Sequence, residues 1–311
     1  MSNPTPLRHL LVATDFSPAA ERAIEHAVDL ARRHGATLQL VHASPVHSGL
    51  EAPPWPAGIW EAPADGRPVA GAREIAEEAA RLGALGLTVR GACRPGPPAR
   101  VILEEAERSG ADMIVLGTHG KSGWRHFLLG STTRRVIEHA GCPVLAVHQS
   151  DAVRPPGGRV LLFATDFSAT ARRAALRAAE ILPLAPEDSV VLCYAAYLSP
   201  ALVPAEAPFS IPELEHLVIK DARKSLEREG LALQAAGIPC RTEMIEGYPP
   251  DILVEHAKEL GAAMIVAGSV GRTGLAHLLI GSTAERIATI ATCPVLVVPP
   301  GKPAEPRSPG K

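Results

Sequence analysis

Glycine and hydroxyl residues at a fixed spacing are the part of this chain best suited to chemistry. Gly117-Thr-His-Gly120 is followed by nine residues and then Gly130-Ser131; Gly268-Ser-Val-Gly271 is followed by nine residues and then Gly281-Ser282. The chemistry they suit is anion binding. Glycines let the backbone approach a phosphate, and the first N–H groups of a helix point at the charge. Each copy lies between a short apolar run (Met113-Ile-Val-Leu116; Met264-Ile-Val-Ala267) and a helix-like segment. The copies are offset by 151 positions, from 268 − 117 and again from 281 − 130. A spacing that is weak alone gains weight by recurring.

The repeat extends to the elements that would position these loops. Leu11-Val-Ala-Thr-Asp-Phe-Ser17 returns as Leu162-Phe-Ala-Thr-Asp-Phe-Ser168, Gly96 and Pro98 as Gly247 and Pro249, and Cys142-Pro-Val-Leu145 as Cys293-Pro-Val-Leu296. Roughly half the positions from 111 to 148 are identical to their mates, which marks duplication of a whole unit. His42 pairs with Tyr194, one step out of phase, so the second copy has a one-residue insertion, compensated before Gly247.

Two other phosphate motifs are excluded. His119-Gly-Lys-Ser122 invites a P-loop reading, but that motif needs glycine where Val115 stands, and the second copy has Arg272-Thr273 in place of Lys121-Ser122. No Gly-x-Gly-x-x-Gly follows the first strand of either copy, so the dinucleotide fingerprint is missing.

Within the first copy, Leu10–Thr14 reads as a buried strand, and Ser17-Pro18 as the N-cap and first position of a helix that ends at Gly35. Strands are predicted over 37–42, 87–92, 111–116 and 143–148, and helices over 70–82, 98–109 and 132–139, with 43–68 a long loop holding Trp55 and Trp60. The second copy predicts strands over 160–165, 189–195, 239–245, 262–267 and 294–298, and helices over 169–181, 211–236, 250–260 and 283–291. Alternating strands and helices with continuous apolar strands imply an α/β fold, a doubly wound parallel sheet covered on both faces in each repeat. Ligands of such sheets sit beyond the carboxyl ends of the strands where strand order reverses, and Asp15 and Gly117 lie at two of those ends. The expected organisation is a first domain over 1–148, a linker over 149–158, a second domain over 159–300 and a disordered tail over 301–311. The apolar terminal strands of the two halves are expected to pack on one another rather than leave edges exposed.

Composition narrows the classes. The 311 residues are 46% hydrophobic, enough for buried cores, and the net charge of −2 leaves no electrostatic footprint for nucleic acid or membrane. Apolar runs are too short to span a bilayer and residues 1–9 do not read as a signal peptide, so a cytoplasmic protein is expected. Five scattered cysteines suit buried apolar positions rather than a disulfide framework. The histidines show no metal-ligand spacing.

The paired Asp15 and Asp166, the Gly-x-x-Gly-x9-Gly-Ser loops and the Cys-Pro-Val-Leu strands together resemble the universal stress protein family in its tandem two-domain form, over nearly the whole chain. The resemblance implies a five-stranded parallel α/β sandwich in each half (the adenine nucleotide alpha hydrolase-like fold), halves paired like a dimer, and membership of the ATP-binding branch. In the first half it implies that Thr14 and Asp15 border the adenosine, Val41 meets the adenine edge, Leu116 and Gly117 line base and ribose, and Gly120, Gly130, Ser131 and Thr132 take the phosphates. In the second it implies Thr165, Asp166, Cys193, Ala267, Gly268, Gly271, Gly281, Ser282 and Thr283. Mg²⁺ or Mn²⁺ is expected to accompany the polyphosphate.

Plainer roles exist for the same residues. Asp15 suits the start of a helix, Gly130 and Gly281 suit turns of positive φ, Ser131 and Ser282 suit N-caps, and Ser282-Thr-Ala-Glu285 fits a capping box. Arg134 would make the first phosphate site the more positive. His119, whose mate is Val270, reads as a non-essential contact. The expected function is a nucleotide-responsive regulatory or stress-tolerance protein read by a protein partner. A slow ATPase or nucleotide transferase using Asp15 or Asp166, and an adaptor with vestigial sites, are the alternatives. The expected assembly is an intramolecular pseudo-dimer, with a homodimer of the intact chain as a further option.

Overall fold

The buried strands and amphipathic helices of the two repeats build a single sheet. The computed structural model describes residues 7–44, 60–61, 70–119, 129–154, 157–182, 184–197, 211–271 and 281–300. The first half runs β1 (His9–Ala13), α1 (Pro18–His34), β2 (Thr37–Ser44), β3 (Trp60–Glu61), α2 (Ala72–Ala84), β4 (Val89–Pro95), α3 (Pro98–Ser109), β5 (Met113–Gly117), α4 (Ser131–His139) and β6 (Val144–Val147). The second runs β7 (Val160–Ala164), α5 (Ala169–Ile181), β8 (Ser189–Ala196), α6 (Ile211–Ala235), β9 (Cys240–Glu246), α7 (Pro249–Glu259), β10 (Met264–Gly268), α8 (Ser282–Ile290) and β11 (Val295–Val298).

The first helix shows how local chemistry sets these bounds. The Ser17 hydroxyl accepts the Ala20 N–H at 3.3 Å, Pro18 supplies a preset first turn, and Gly35 closes the helix in the left-handed region at φ 64°. Ser168 caps α5 in the same way, accepting from Ala171 at 3.1 Å.

Strand order is β3-β4-β2-β1-β5-β6-β11-β10-β7-β8-β9. Pairing within each half is parallel, and β6 joins β11 antiparallel. The central pair there is Leu145 opposite Leu296, which are repeat mates because 296 − 145 = 151, so a pseudo-twofold axis passes between them. The junction removes two apolar edges at once. Strand registers also locate the insertion: His9 pairs Thr37 and Val160 pairs Ser189, offsets of 151 and 152. Alternation along β1 sends Leu10 and Val12 to one face, with α1 and α2, and Leu11 and Ala13 to the other, with α3 and α4.

Two strands of the first half depart from expectation. Trp60–Glu61, expected inside a loop, forms a two-residue edge strand against Gly91 and Ala92 of β4, giving the first half a sixth strand. Trp55 and the tail over 301–311 lie outside the described residues. The third strand runs Val89–Pro95 rather than 87–92, because pairing with β2 continues to Ser44 opposite Pro95. All five cysteines are free; burial pushes the thiols of Cys93, Cys142, Cys193 and Cys293 up to about 12. No helix among the described residues is long and apolar enough to cross a membrane.

The second half is tied down by a buried ion pair that the repeat did not advertise. Asp188, whose side chain is fully buried, accepts backbone N–H groups from Gly157, Arg159 and Ala185, each at 2.9 Å, and pairs with the Arg159 guanidinium at 2.6 Å. Burial alone would favour the neutral acid. Arg159 and the three N–H donors outweigh it and hold the carboxyl well below the usual carboxylate range.

Candidate functional site

Strand order in the first half reverses at β1, with β2 on one side and β5 on the other. Beyond the carboxyl ends of these strands lies a cavity of about 370 Å³. That size sits in the lower part of the roughly 300–1,000 Å³ span of small-molecule sites. The turn after β1 delivers Thr14 and Asp15, β2 delivers Val41, β5 delivers Leu116 and Gly117, the following loop delivers His119, and the start of α4 delivers Gly130, Ser131 and Thr132. The structure thus brings together nine of the ten first-half residues expected there; Gly120 lies outside the described residues.

Short hydrogen bonds fix the turn after β1. The Thr14 N–H donates to the Val41 carbonyl at 2.9 Å, the Thr14 hydroxyl accepts from Phe16 at 3.0 Å, and Asp15 Oδ1 accepts from Ser17 at 3.1 Å. Asp15 thus closes the turn that leads into α1, while Ser17 supplies the capping oxygen, and Asp15 also stands in the cavity wall. Phe16 and its mate Phe167 hold φ of 60° and 65°, left-handed values unusual for a bulky side chain. Two copies of the same strained turn aim an aspartate over the end of the first strand of each half.

The glycines act through close approach. A Cβ on Gly117 would stand 2.9 Å from the Ala19 backbone, so only glycine lets α1 press on the end of β5. A Cβ on Gly130 would stand 2.8 Å from the Thr118 carbonyl, the acceptor of its own N–H. The expectation of positive φ is wrong for Gly130 and Gly281, which take −56° and −76°. Ser131 and Ser282 are likewise not N-caps. The glycines occupy the cap positions of α4 and α8, neither helix has a side-chain cap, and the capping box of Ser282 and Glu285 does not form. At α4 the reason is steric: Gly130 lies against the Thr118 carbonyl, too close for a Cβ. Instead the Thr133 hydroxyl donates to the Gly117 carbonyl at 2.8 Å, latching α4 to β5. Arg134 pairs with Glu138 at 3.3 Å and, across the pseudo-twofold, with Glu285 at 3.7 Å, its own repeat mate.

Several lining residues were not foreseen: Ala13, Ala20, His42, Ala43, Pro98, Ile102, Thr118 and Thr133. Pro98 could have been found, since Gly96-x-Pro98 recurs as Gly247-x-Pro249. His42 could not, because its mate is Tyr194; its Nδ1 lies 2.8 Å from the Thr14 carbonyl and its ring packs on Phe16.

In the second half the equivalent frame recurs with different filling. The Thr165 N–H donates to the Cys193 carbonyl at 2.9 Å, and Asp166 Oδ1 accepts from Ser168 at 3.0 Å. Ala267 and Gly268 end β10, and Gly268 presses on Thr170 and Ala171. Gly271 is held so near Asp166 that a Cβ would stand 2.6 Å from Oδ2, whereas a Cβ on Gly281 would meet Ser269 at an ordinary 3.4 Å. Gly281, Ser282 and Thr283 begin α8. The Thr165 hydroxyl donates to buried Glu229 of α6 at 3.0 Å. The mate Glu78 instead faces Arg81 on its own helix.

Burial raises the Glu229 carboxyl above its ordinary value of 4.5, with Asp166 adding to the effect and Thr165 and Arg172 opposing it. An acid with a raised folded value contributes most when protonated, and that contribution is lost as pH rises through the window above 4.5. Glu229→Gln keeps an acceptor for Thr165 without the charge. It is expected to gain about 1 kcal/mol at neutral pH, shrinking toward pH 4; denaturant titrations at both pH values check this, and a loss at neutral pH would contradict it.

The family signature of universal stress proteins matches residues 6–148 and, again, residues 158–299. The chain belongs to the universal stress protein family. Universal stress proteins of Mycolicibacterium smegmatis and Mycobacterium tuberculosis are 28% and 29% identical to it, covering 94% and 93% of this chain and 97% and 95% of their own lengths. A universal stress protein structure from Archaeoglobus fulgidus covers 96% of this chain and 99% of its own, with a TM-score of 0.65 at 20% identity. The tandem arrangement is therefore shared along the full length of such relatives, and the two family matches fall on the two halves of the sheet. Among the described residues, no group of three or more His, Cys, Asp or Glu side chains could hold a metal ion.

Proposed function

We propose that this universal stress protein binds ATP with Mg²⁺ or Mn²⁺ at the first-half cavity and acts as a nucleotide-responsive regulator, its state read by a protein partner. The observation that carries the reading is the convergence of an apolar wall (Val41, Leu116, Ile102) with an uncapped helix start (Gly130, Ser131, Thr132) in one cavity. The first suits a base and the second suits phosphates. The hydroxyls of Ser131 and Thr132 would orient the polyphosphate, and the cation would bridge its oxygens. The second half keeps the frame of a second nucleotide site at Thr165, Asp166, Gly268, Gly271, Gly281, Ser282 and Thr283.

Turnover by this site would be slow. Asp15 is the one carboxylate among the described lining residues, and its Oδ1 is engaged by the Ser17 N–H. Phosphoryl transfer needs a placed water and groups that stabilise developing charge. Isothermal titration of the full chain with ATP and Mg²⁺, with phosphate release measured in parallel, is expected to give saturable binding and negligible release. Absence of binding, repeated in a direct assay, would leave a structural adaptor; rapid release lost in Asp15→Asn would make it an enzyme.

A further inference from the structure

A buried cluster of titratable groups joins the first cavity to the linker. Asp151, whose side chain is fully buried, accepts the His148 backbone N–H at 2.7 Å through Oδ2, which also stands 3.3 Å from His148 Nδ1. His26 of α1 is buried near Asp151: burial lowers the His26 imidazole, and the Asp151 charge opposes that. The His148 ring faces that of His119, centroids 6.4 Å apart, and His119 lines the cavity while His148 and His26 do not. A second path closes the circuit: Ser17, at the start of the helix that carries His26, donates its hydroxyl to the His119 carbonyl at 3.4 Å.

Packing alone does not account for this cluster. Asp151 Oδ1, His26 Nε2 and His148 Nε2 are buried with no hydrogen-bond partner among the described residues. Unsatisfied buried polar atoms are costly, and an apolar set would fill the space better. The second repeat does without the cluster: the mates of His26, His119, His148 and Asp151 are Arg177, Val270, Pro299 and Lys302. His148 directly follows β6, the strand that pairs with the second half, so the cluster sits where the halves are joined.

We propose that Asp151 is a positioning residue for the first nucleotide cavity, acting through His148 and His26 on His119 and the first turn of α1, so that occupancy of that cavity and the geometry of the linker are coupled. This rests on the nucleotide reading of the cavity. Coupling is reciprocal: a partner that shifts the linker changes first-site affinity by the same factor that nucleotide changes partner affinity.

The test follows histidine ring resonances by NMR, assigned by single substitution, while ATP and Mg²⁺ are titrated into the full chain. The His148 and His26 signals are expected to move with saturation in the parent. In Asp151→Asn, which keeps an acceptor for the His148 N–H, first-site affinity is expected to fall by about 5-fold or more and the response to disappear. His119→Val, the second-half residue, is expected to uncouple the rings likewise. ATP binding with unmoved His148 and His26 signals and unchanged Asp151→Asn affinity would overturn the coupling and leave the nucleotide reading standing. No ATP binding in the parent would overturn both. If Asp151→Asn fails to fold, the parent and His119→Val titrations decide.

Discussion

Gly130→Val is expected to abolish measurable ATP binding at the first cavity while the sheet stays folded. The side chain would start 2.8 Å from the Thr118 carbonyl, a backbone atom that already accepts the Gly130 N–H, so the loop or the start of α4 must move. Either movement turns the first N–H groups of α4 away from where a phosphate would sit. Two charge-assisted hydrogen bonds at about 1.5 kcal/mol each amount to on the order of 100-fold in affinity. Gly281→Val should cost less, because the nearest atom to its Cβ is the Ser269 carbonyl at 3.4 Å. Titration calorimetry of both single variants checks the order of effects. Undiminished binding by Gly130→Val would remove the glycine loop from the site.

The largest stability effect is expected at Asp188. Asp188→Ala leaves the largely buried Arg159 without its partner and the N–H groups of Gly157, Arg159 and Ala185 without their acceptor. Removing one member of a buried pair costs about 3–5 kcal/mol, a large fraction of a domain's stability. Because the folded carboxyl is held low, its contribution is present above the ordinary value of 3.8 and is lost as pH falls toward the folded value. Urea unfolding at neutral pH should show the full loss, and the gap between parent and Asp188→Ala should narrow in acid. A variant within about 0.5 kcal/mol of the parent would show that the pair is incidental. The pair lies where the second half enters its sheet, so a first half that outlasts the second in unfolding of Asp188→Ala is also expected.

Much of this protein was legible in its residues. Continuous apolar strands, helix starts such as Ser17-Pro18 and the stop at Gly35 depend on neighbours within a turn or two, so they can be read locally. Duplication did the rest: a 151-residue offset tied Asp15 to Asp166 and Gly117 to Gly268, and it singled out the ends of strands one and four as the places to look. Fold class pointed to Asp15 and Gly117 at two strand ends beside a switch point; the other first-half residues that meet in the cavity came from the glycine-loop motif and the family resemblance.

Other features needed the tertiary structure. The cap position of α4 went to glycine because the Thr118 carbonyl lies against it, a contact that spacing does not reveal. Trp60–Glu61 is a strand only because β4 offers an edge, since two residues have no pattern of their own. His42 entered the cavity wall, and Glu229 turned inward to Thr165 where Glu78 turns outward to Arg81, although the repeat aligns each with a different environment. His26 and His119 stand far in the chain from His148 and Asp151, and the four share no motif. Two α/β repeats, their strand ends and the glycine loops could be read from the residues, because those depend on local periodicity and backbone freedom. How unlike side chains fill the two like frames came from folding, because burial, close approach and unpaired polar atoms are properties of segments brought together from a distance.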